Sequence, residues 1–256
     1  MRPQTILITG ASSGIGQALA LHYACGGSNL FLMGRNRERL EAVAKECSRR
    51  DAHVRCGLID VRNRKAMFEW IQKADNASPI DLAFANAGIM VGTPADGYLE
   101  SPEAGYLAIE TNVLGVMNTI QPLMHGMIGR KKGQLVLISS LAAYIPLPDC
   151  PSYCAAKSAV LTYGLALRAA LAEHHLKVSV VCPGYVTTPM MYKESGVKPF
   201  KLSPQSAASI IARRIDRNPA IVAFPKGYAI ATRFHAALPD SVRRWILARM
   251  RFTVEQ

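Results

Sequence analysis

The sequence lacks most of the features that would assign it quickly. It has six cysteines, Cys25, Cys47, Cys56, Cys150, Cys154 and Cys182, but no C-x-x-C pair and no histidine at ligand spacing beside them. Neither a zinc site nor a disulfide framework is therefore expected, no metal is expected at all, and reduced thiols fit best. Long apolar runs are missing too. The longest nearly uncharged stretch, "GQLVLISSLAAYIPLP", is broken by serine and proline and is too short to span a bilayer. The opening "MRPQTILITG" holds too short an apolar run for a signal peptide and reads as a strand. From these two absences we expect a cytoplasmic protein. No low-complexity tract or internal repeat is evident, which excludes a solenoid. None of the six histidines has catalytic spacing, which leaves them structural or exposed.

Acid is the other deficit. Thirty Lys and Arg face eighteen Asp and Glu, a formal net charge of +12. Residues 201–256 alone hold ten basic side chains against three acidic ones. Such an excess raises anionic partners. No nucleic-acid fold signature or run of interleaved aromatics accompanies it, so no nucleic-acid partner is expected. A solvated basic face is favoured over peripheral membrane contact through this region.

What the sequence has is a regular order of elements. "QTILITG", "NLFLMG", "HVRCGLID", "IDLAFANAG", "QLVLISS" and "KVSVVCPG" read as six strands. Helical stretches separate them: "GQALALHYACGG", "NRERLEAVAKECSRR" with Asn36 as N-cap, "RKAMFEWIQKA", a long region near 101–129, and 152–174. Near-continuous apolar strands alternating with helices predict a doubly wound parallel sheet of Rossmann type, with helices on both faces. No linker divides the chain, and we expect one domain over 1–256, with 201–256 as a divergent region. In such a fold the ligand crevice lies at the carboxyl ends of the strands. The polar and glycine-rich punctuation falls there, at Gly10, Gly34, Asp60, Asn86–Gly88, Ser139–Ser140 and Pro183–Gly184.

"TGASSGIG", Thr9 to Gly16, follows the first strand and opens the first helix. Glycines at 10, 14 and 16 permit a tight turn and close backbone approach to a diphosphate, which the positive helix end attracts. At the end of the second strand an acidic residue would accept the ribose 2′-hydroxyl and repel a 2′-phosphate. Gly34 and Arg35 stand there instead, so the cofactor expected is NADP(H) rather than NAD(H). Arg37 and Arg39 add positive charge, or simply face solvent. Asp60 either accepts from the adenine amino group or caps the helix that starts near 62. Asn86–Gly88 gives a turn where small residues let a cofactor approach. Tyr153 and Lys157 in "SYCAAK" share one helical face. A lysine ammonium beside it, together with the positive nicotinamide ring of an oxidised cofactor, stabilises a phenolate and lowers a tyrosine pKa from its usual value of about 10.

"TGASSGIG", "NAG", Asn112 in "ETNVLGVMNT", "ISSLAA", "YCAAK" and "PGYVTTPM" occur in the order and spacing of the short-chain dehydrogenase/reductase family. The chain resembles that family over roughly residues 4–190. The resemblance implies Tyr153 as acid/base, with Lys157, Ser140 and Asn112 completing the catalytic set. Strand alternation sends Ser139 and Ser140 to opposite sides, and family spacing selects Ser140. Lys157 is implied to hold the nicotinamide ribose as well, and Asn112 to keep a water beside it. Pro183, Gly184 and Thr188 fall near the nicotinamide by the same resemblance, Thr188 against its carboxamide. Ser12, Ser13, Ile15, Val61, Ala87 and Val186 are implied as the neighbouring cofactor contacts.

The resemblance implies an NADPH-dependent carbonyl reductase, reversible as an alcohol dehydrogenase, working as a homodimer or homotetramer. Met90 and Met190–Met191 are candidates for the substrate pocket, although Met as a flexible filler is the simpler reading. The family's common strand and "DGG"-like turn near the C-terminus are replaced here by "AIVAFPKGYAIATRFHAALPDSVRRWILARMRFTVEQ". Within it "DSVRRWILARM" reads as a short amphipathic helix with Asp240 as its cap. That departure leaves room for a lipid-like substrate. Two other readings stand beside the reductase: a sugar-nucleotide epimerase or dehydratase, and a cofactor-sensing regulator without turnover. The short tail and the glycine spacing weigh against the first. The complete Asn-Ser-Tyr-Lys set weighs against the second.

Overall fold

Ile6, Leu7 and Ile8 stand side by side in the first strand, and alternation sends them to opposite faces of a sheet. Ile6 and Ile8 share one buried core with Leu19, Leu40 and Ile211; Leu7 shares the other with Met67, Ile71 and Ile120. Both faces are covered, so the strand needs no polar side. The structure, a computed structural model, describes residues 4–192, 194, 195 and 198–254.

The chain runs β1 (Thr5–Thr9), α1 (Gly14–Tyr23), β2 (Asn29–Gly34), α2 (Arg37–Ser48), β3 (His53–Leu58) and α3 (Arg64–Ala77). It continues through β4 (Leu82–Ala85), α4 (Pro102–Ile109), α5 (Gly115–Gly129), β5 (Gln134–Ile138), α6 (Pro151–Ala170) and β6 (Lys177–Pro183). The last part is α7 (Pro189–Tyr192), α8 (Pro204–Ile215), β7 (Ile221–Phe224), α9 (Lys226–Phe234) and α10 (Asp240–Leu247). The seven strands form one parallel sheet in the order β3-β2-β1-β4-β5-β6-β7. The order turns back between β1 and β4, so the loops after these strands diverge and leave a crevice at their carboxyl ends.

The structure corrects several sequence readings. A seventh strand, β7, extends the six expected, pairing Val180–Pro183 with Ile221–Phe224. Its four residues sit inside the divergent region, where no longer alternation marks them. The helical region near 101–129 is interrupted by a π-turn at Glu110–Leu114 between α4 and α5. The helix expected over 152–174 ends at Ala170 and passes into a 3₁₀ turn at Ala172–His174. Asn36 caps α2 as expected, accepting from Arg39 N at 2.8 Å. Asn63, not Asp60, caps α3. Asp240 lies inside the first turn of α10 and makes no cap bond; Pro239 holds the cap position.

The chain end returns to the strands' carboxyl edge. Asp149 is almost fully buried and accepts from Arg251 Nε at 2.9 Å and Phe252 N at 2.9 Å. Val254 N donates to Thr93 O at 2.9 Å, and Ser195 N to Thr253 O at 2.9 Å. The tail is thereby tied to three loops that border the crevice.

Candidate active site

The turn between β1 and α1 uses conformations that only glycine adopts without strain: φ is +67° at Gly10 and +57° at Gly14. A side chain on Gly10 would place Cβ 2.9 Å from Ala87 Cα, so the loop after β4 lies directly against this turn. Thr9 Oγ1 accepts from Asn86 N at 3.1 Å and Ala87 N at 3.2 Å, and Asn86 Nδ2 donates to Thr9 O at 2.9 Å. Asn86 thus holds the two loops together. Gly16 packs under the turn, where a Cβ would lie 2.2 Å from Gly10 O. Ser13 occupies the N-cap of α1 without a side-chain cap bond, which leaves first-turn N–H groups to an external acceptor.

A cavity of about 420 Å³ opens from this turn along the sheet edge. Gly10, Ser12, Ser13, Gly14, Ile15, Arg35, Asp60, Val61, Asn86, Ala87 and Gly88 line one end. Ser140, Tyr153, Lys157, Pro183, Gly184, Val186 and Thr188 line the other. Of the residues expected at the site, Gly16 and Asn112 alone stand off the wall. Arg35 is more than half exposed and reaches Asp60 at 3.7 Å. Asp60 is engaged chiefly by Arg62, whose Nη2 lies 2.8 Å away and whose backbone N donates at 3.0 Å. The Arg62 hydrogen bonds hold the Asp60 carboxyl below its ordinary range. Arg39 also lines the cavity, whereas Arg37 pairs with Glu41 on the outer surface at 3.3 Å.

At the far end the two serines separate as alternation requires. Ser139 Oγ is buried and donates to Lys157 O at 2.7 Å; Ser140 lines the cavity, its Oγ accepting from Ala142 N at 3.1 Å. Tyr153 lies in the first turns of α6, with Lys157 one turn on and its Nζ 5.6 Å from the tyrosine ring centre. Lys157 Nζ donates to Ile138 O at 3.1 Å, and burial pushes its pKa down to about 8. The expected lowering of the tyrosine pKa is not what this surface produces: burial raises the Tyr153 phenol, and the Ser140 hydrogen bond opposes that only in part. Asn112 is fully buried in the π-turn, and both ends of its amide are spent on Ile89, at 2.9 and 3.0 Å. It touches the site through Gly88, whose Cβ would lie 2.6 Å from Asn112 Oδ1 and 3.4 Å from Lys157 Nζ.

Beyond Tyr153 the wall changes character. Met90, Ile145, Leu147, Met190 and Phe252 make it apolar, with Tyr185, Glu194 and Tyr228 among them. Both methionine candidates, Met90 and the Met190–Met191 pair, are here. The sequence reading missed Glu194, Tyr228 and Phe252. No motif marks them, since the loop after β6, helix α9 and the tail bring them in from distant positions. Thr188 lies beside the glycine turn, where a side chain on Gly14 would meet its Cγ2 at 2.9 Å. Close backbone, free helix-end N–H groups and an arginine past β2 together fit a dinucleotide carrying phosphates.

Comparison with known proteins agrees with this geometry. The family model for short chain dehydrogenases matches residues 4–197. An uncharacterised oxidoreductase of Myxococcus xanthus is 33% identical over 241 residues, covering 94% of each chain. A short-chain dehydrogenase from Sphingobium yanoikuyae, solved in complex with NADPH, superposes with a TM-score of 0.79 at 23% identity, over 96% of both chains. One from Mycobacterium paratuberculosis, bound to NAD, gives a TM-score of 0.78 at 22% identity, over 89% of this chain and 98% of that one.

Proposed function

The chain belongs to the short-chain dehydrogenase family, and from that premise we propose that it is an NADPH-dependent carbonyl reductase, reversible as an alcohol dehydrogenase. The observation that carries this reading is that Ser140, Tyr153 and Lys157 share one cavity with the glycine turn and Arg35. Gly10 to Gly14 and the free N–H groups of α1 would hold the diphosphate, and Arg35 and Arg39 a 2′-phosphate. Lys157 would hold the nicotinamide ribose, with Thr188 against the carboxamide. NADPH, when bound, supplies a hydride to the carbonyl carbon.

The chain's own groups manage the proton. The Tyr153 hydroxyl gives its proton to the carbonyl oxygen as that oxygen takes up the electron pair of the C=O bond. Ser140 Oγ donates a hydrogen bond to the same oxygen. The phenolate left behind is stabilised by the Lys157 ammonium, which is charged at neutral pH even with its pKa down to about 8. Asn112 acts as a positioning residue, fixing Ile89 and so the Gly88 wall beside Lys157.

A panel of ketones and aldehydes with NADPH, followed by cofactor absorbance, tests this reading. Tyr153→Phe should lower kcat by at least about 10²-fold, the lower end of general acid catalysis. Binding of NADPH without turnover of any carbonyl, with no difference for the variant, would favour the regulator instead. Arg35→Asp should weaken NADPH binding by about tenfold or more while sparing NADH, the worth of one charge-assisted contact. Equal losses would refute the phosphate role. A cytoplasmic location belongs to the same reading, supported by six free cysteines.

A further inference from the structure

We propose that Glu194 selects the substrate, accepting an N–H or O–H donor carried on an otherwise apolar carbonyl compound. The proposal rests on the reductase reading above and names the substrate class of the same pocket. Glu194 lies on the cavity wall with Ser140 and Tyr153, among Met90, Leu147, Met190 and Phe252. Its carboxylate forms no hydrogen bond or ion pair among the described residues. A carboxylate in such surroundings is costly unless a donor reaches it. Burial pushes its carboxyl up to about 7, and the charge of Lys198 only partly opposes this. Tyr153, Tyr185 and Cys150 also feel its charge.

The side chain is held there by backbone. Glu194 pairs with Val254 in an antiparallel bridge, and Glu194 N donates to Met191 O at 3.3 Å. Ser195 accepts from Thr253 N at 2.7 Å through its hydroxyl. The tail that makes this bridge is anchored by Arg251 and Phe252 on buried Asp149. An unpaired carboxylate placed this firmly, at the apolar end of a reaction cavity, is a receptor for a donor group.

The test compares three ketones with one phenylalkyl body: unsubstituted, para-hydroxymethyl and para-aminomethyl. Each is reduced with NADPH at pH 8 by the wild-type protein, Glu194→Met and Glu194→Gln. In the wild type kcat/KM for at least one donor-bearing ketone should exceed that of the plain one by about tenfold, through KM. Glu194→Met should collapse that ratio to near one. Glu194→Gln should remove a preference for the ammonium and keep part of one for the hydroxyl, which tells the two donors apart. Ratios that are unchanged in both variants overturn the proposal. Calorimetric binding of the matching phenylalkyl alcohol and amine, which offer no carbonyl, to the NADPH complex supplies a readout without turnover. Their Glu194-dependent binding with no reduction of any ketone would sink the reductase reading while upholding Glu194 as the pocket's receptor for a donor group. Normal turnover with binding indifferent to Glu194 would do the reverse.

Discussion

Lys157 is a cation kept where charge is expensive. It is buried under Ile138 and Gly88, and its pKa falls from the model-peptide range near 10.4 to about 8 because water is excluded. The folded pKa lies below the unfolded one, so between these values the unfolded chain binds more protons and stability rises with pH. At pH 7 the charge then costs the fold up to about 3 kcal/mol, from 1.36 kcal/mol for each pH unit of the gap. Lys157→Met should therefore melt several degrees higher than the wild type at pH 7 while abolishing carbonyl reduction. The gain should shrink at pH 9.5, where wild-type Lys157 is already neutral. Thermal melts of both proteins at the two pH values check this. A variant that melts lower at pH 7 would mean that the bond to Ile138 O outweighs desolvation.

The elements that build the site differ in how far the sequence announced them. The glycine turn, the strand-end Arg35 and the Tyr153–Lys157 pair each depend on residues close in sequence, within one turn or one helix face, and so were legible. The parallel sheet was legible for six strands because five are nearly continuous apolar runs and the sixth, β3, follows in the same strand-helix alternation although His53 and Arg55 interrupt it. Strand β7 was not, being four residues long and placed by docking on β6. The substrate wall was not legible either. Phe252 is held at the cavity by Asp149, some hundred residues earlier, which receives Arg251 and Phe252 N, and Glu194 by its bridge to Val254 in the same tail. No periodicity encodes that contact. Asp149→Asn removes the carboxylate charge from these hydrogen bonds at a cost of about 1–3 kcal/mol. The tail should loosen, so trypsin should cut after Arg249 and Arg251 faster than in the wild type, and KM for apolar ketones should rise. A tail equally resistant to trypsin would show that its apolar packing, through Met250 and Phe252, suffices.

At the scale of the molecule, several large apolar side chains face water, and some of them fall on one segment of the chain, 98–114. Tyr98, Leu99 and Tyr106 are largely exposed, and Ile109 and Leu114 continue the row along α4 into the π-turn. A single exposed leucine is ordinary, but five exposed apolar residues within one segment of seventeen suit an interface. A two-fold axis would let the same row meet its own copy, burying it without a second kind of partner. This supports the homodimer or homotetramer that the family resemblance implies. The row also borders Asn112, which sits in the π-turn and fixes the wall beside Lys157. In an oligomer built on this row, the interface and the reacting end would be joined through one short segment. Tyr106→Lys with Leu114→Lys should bring like charges together across the axis and shift sedimentation towards the 27.8 kDa monomer. Activity per chain should fall with dilution in the wild type and be low at every concentration in the double variant. A double variant that sediments like the wild type would remove this row from the interface. A clean monomer with full activity would break the link to Asn112 while leaving the interface intact.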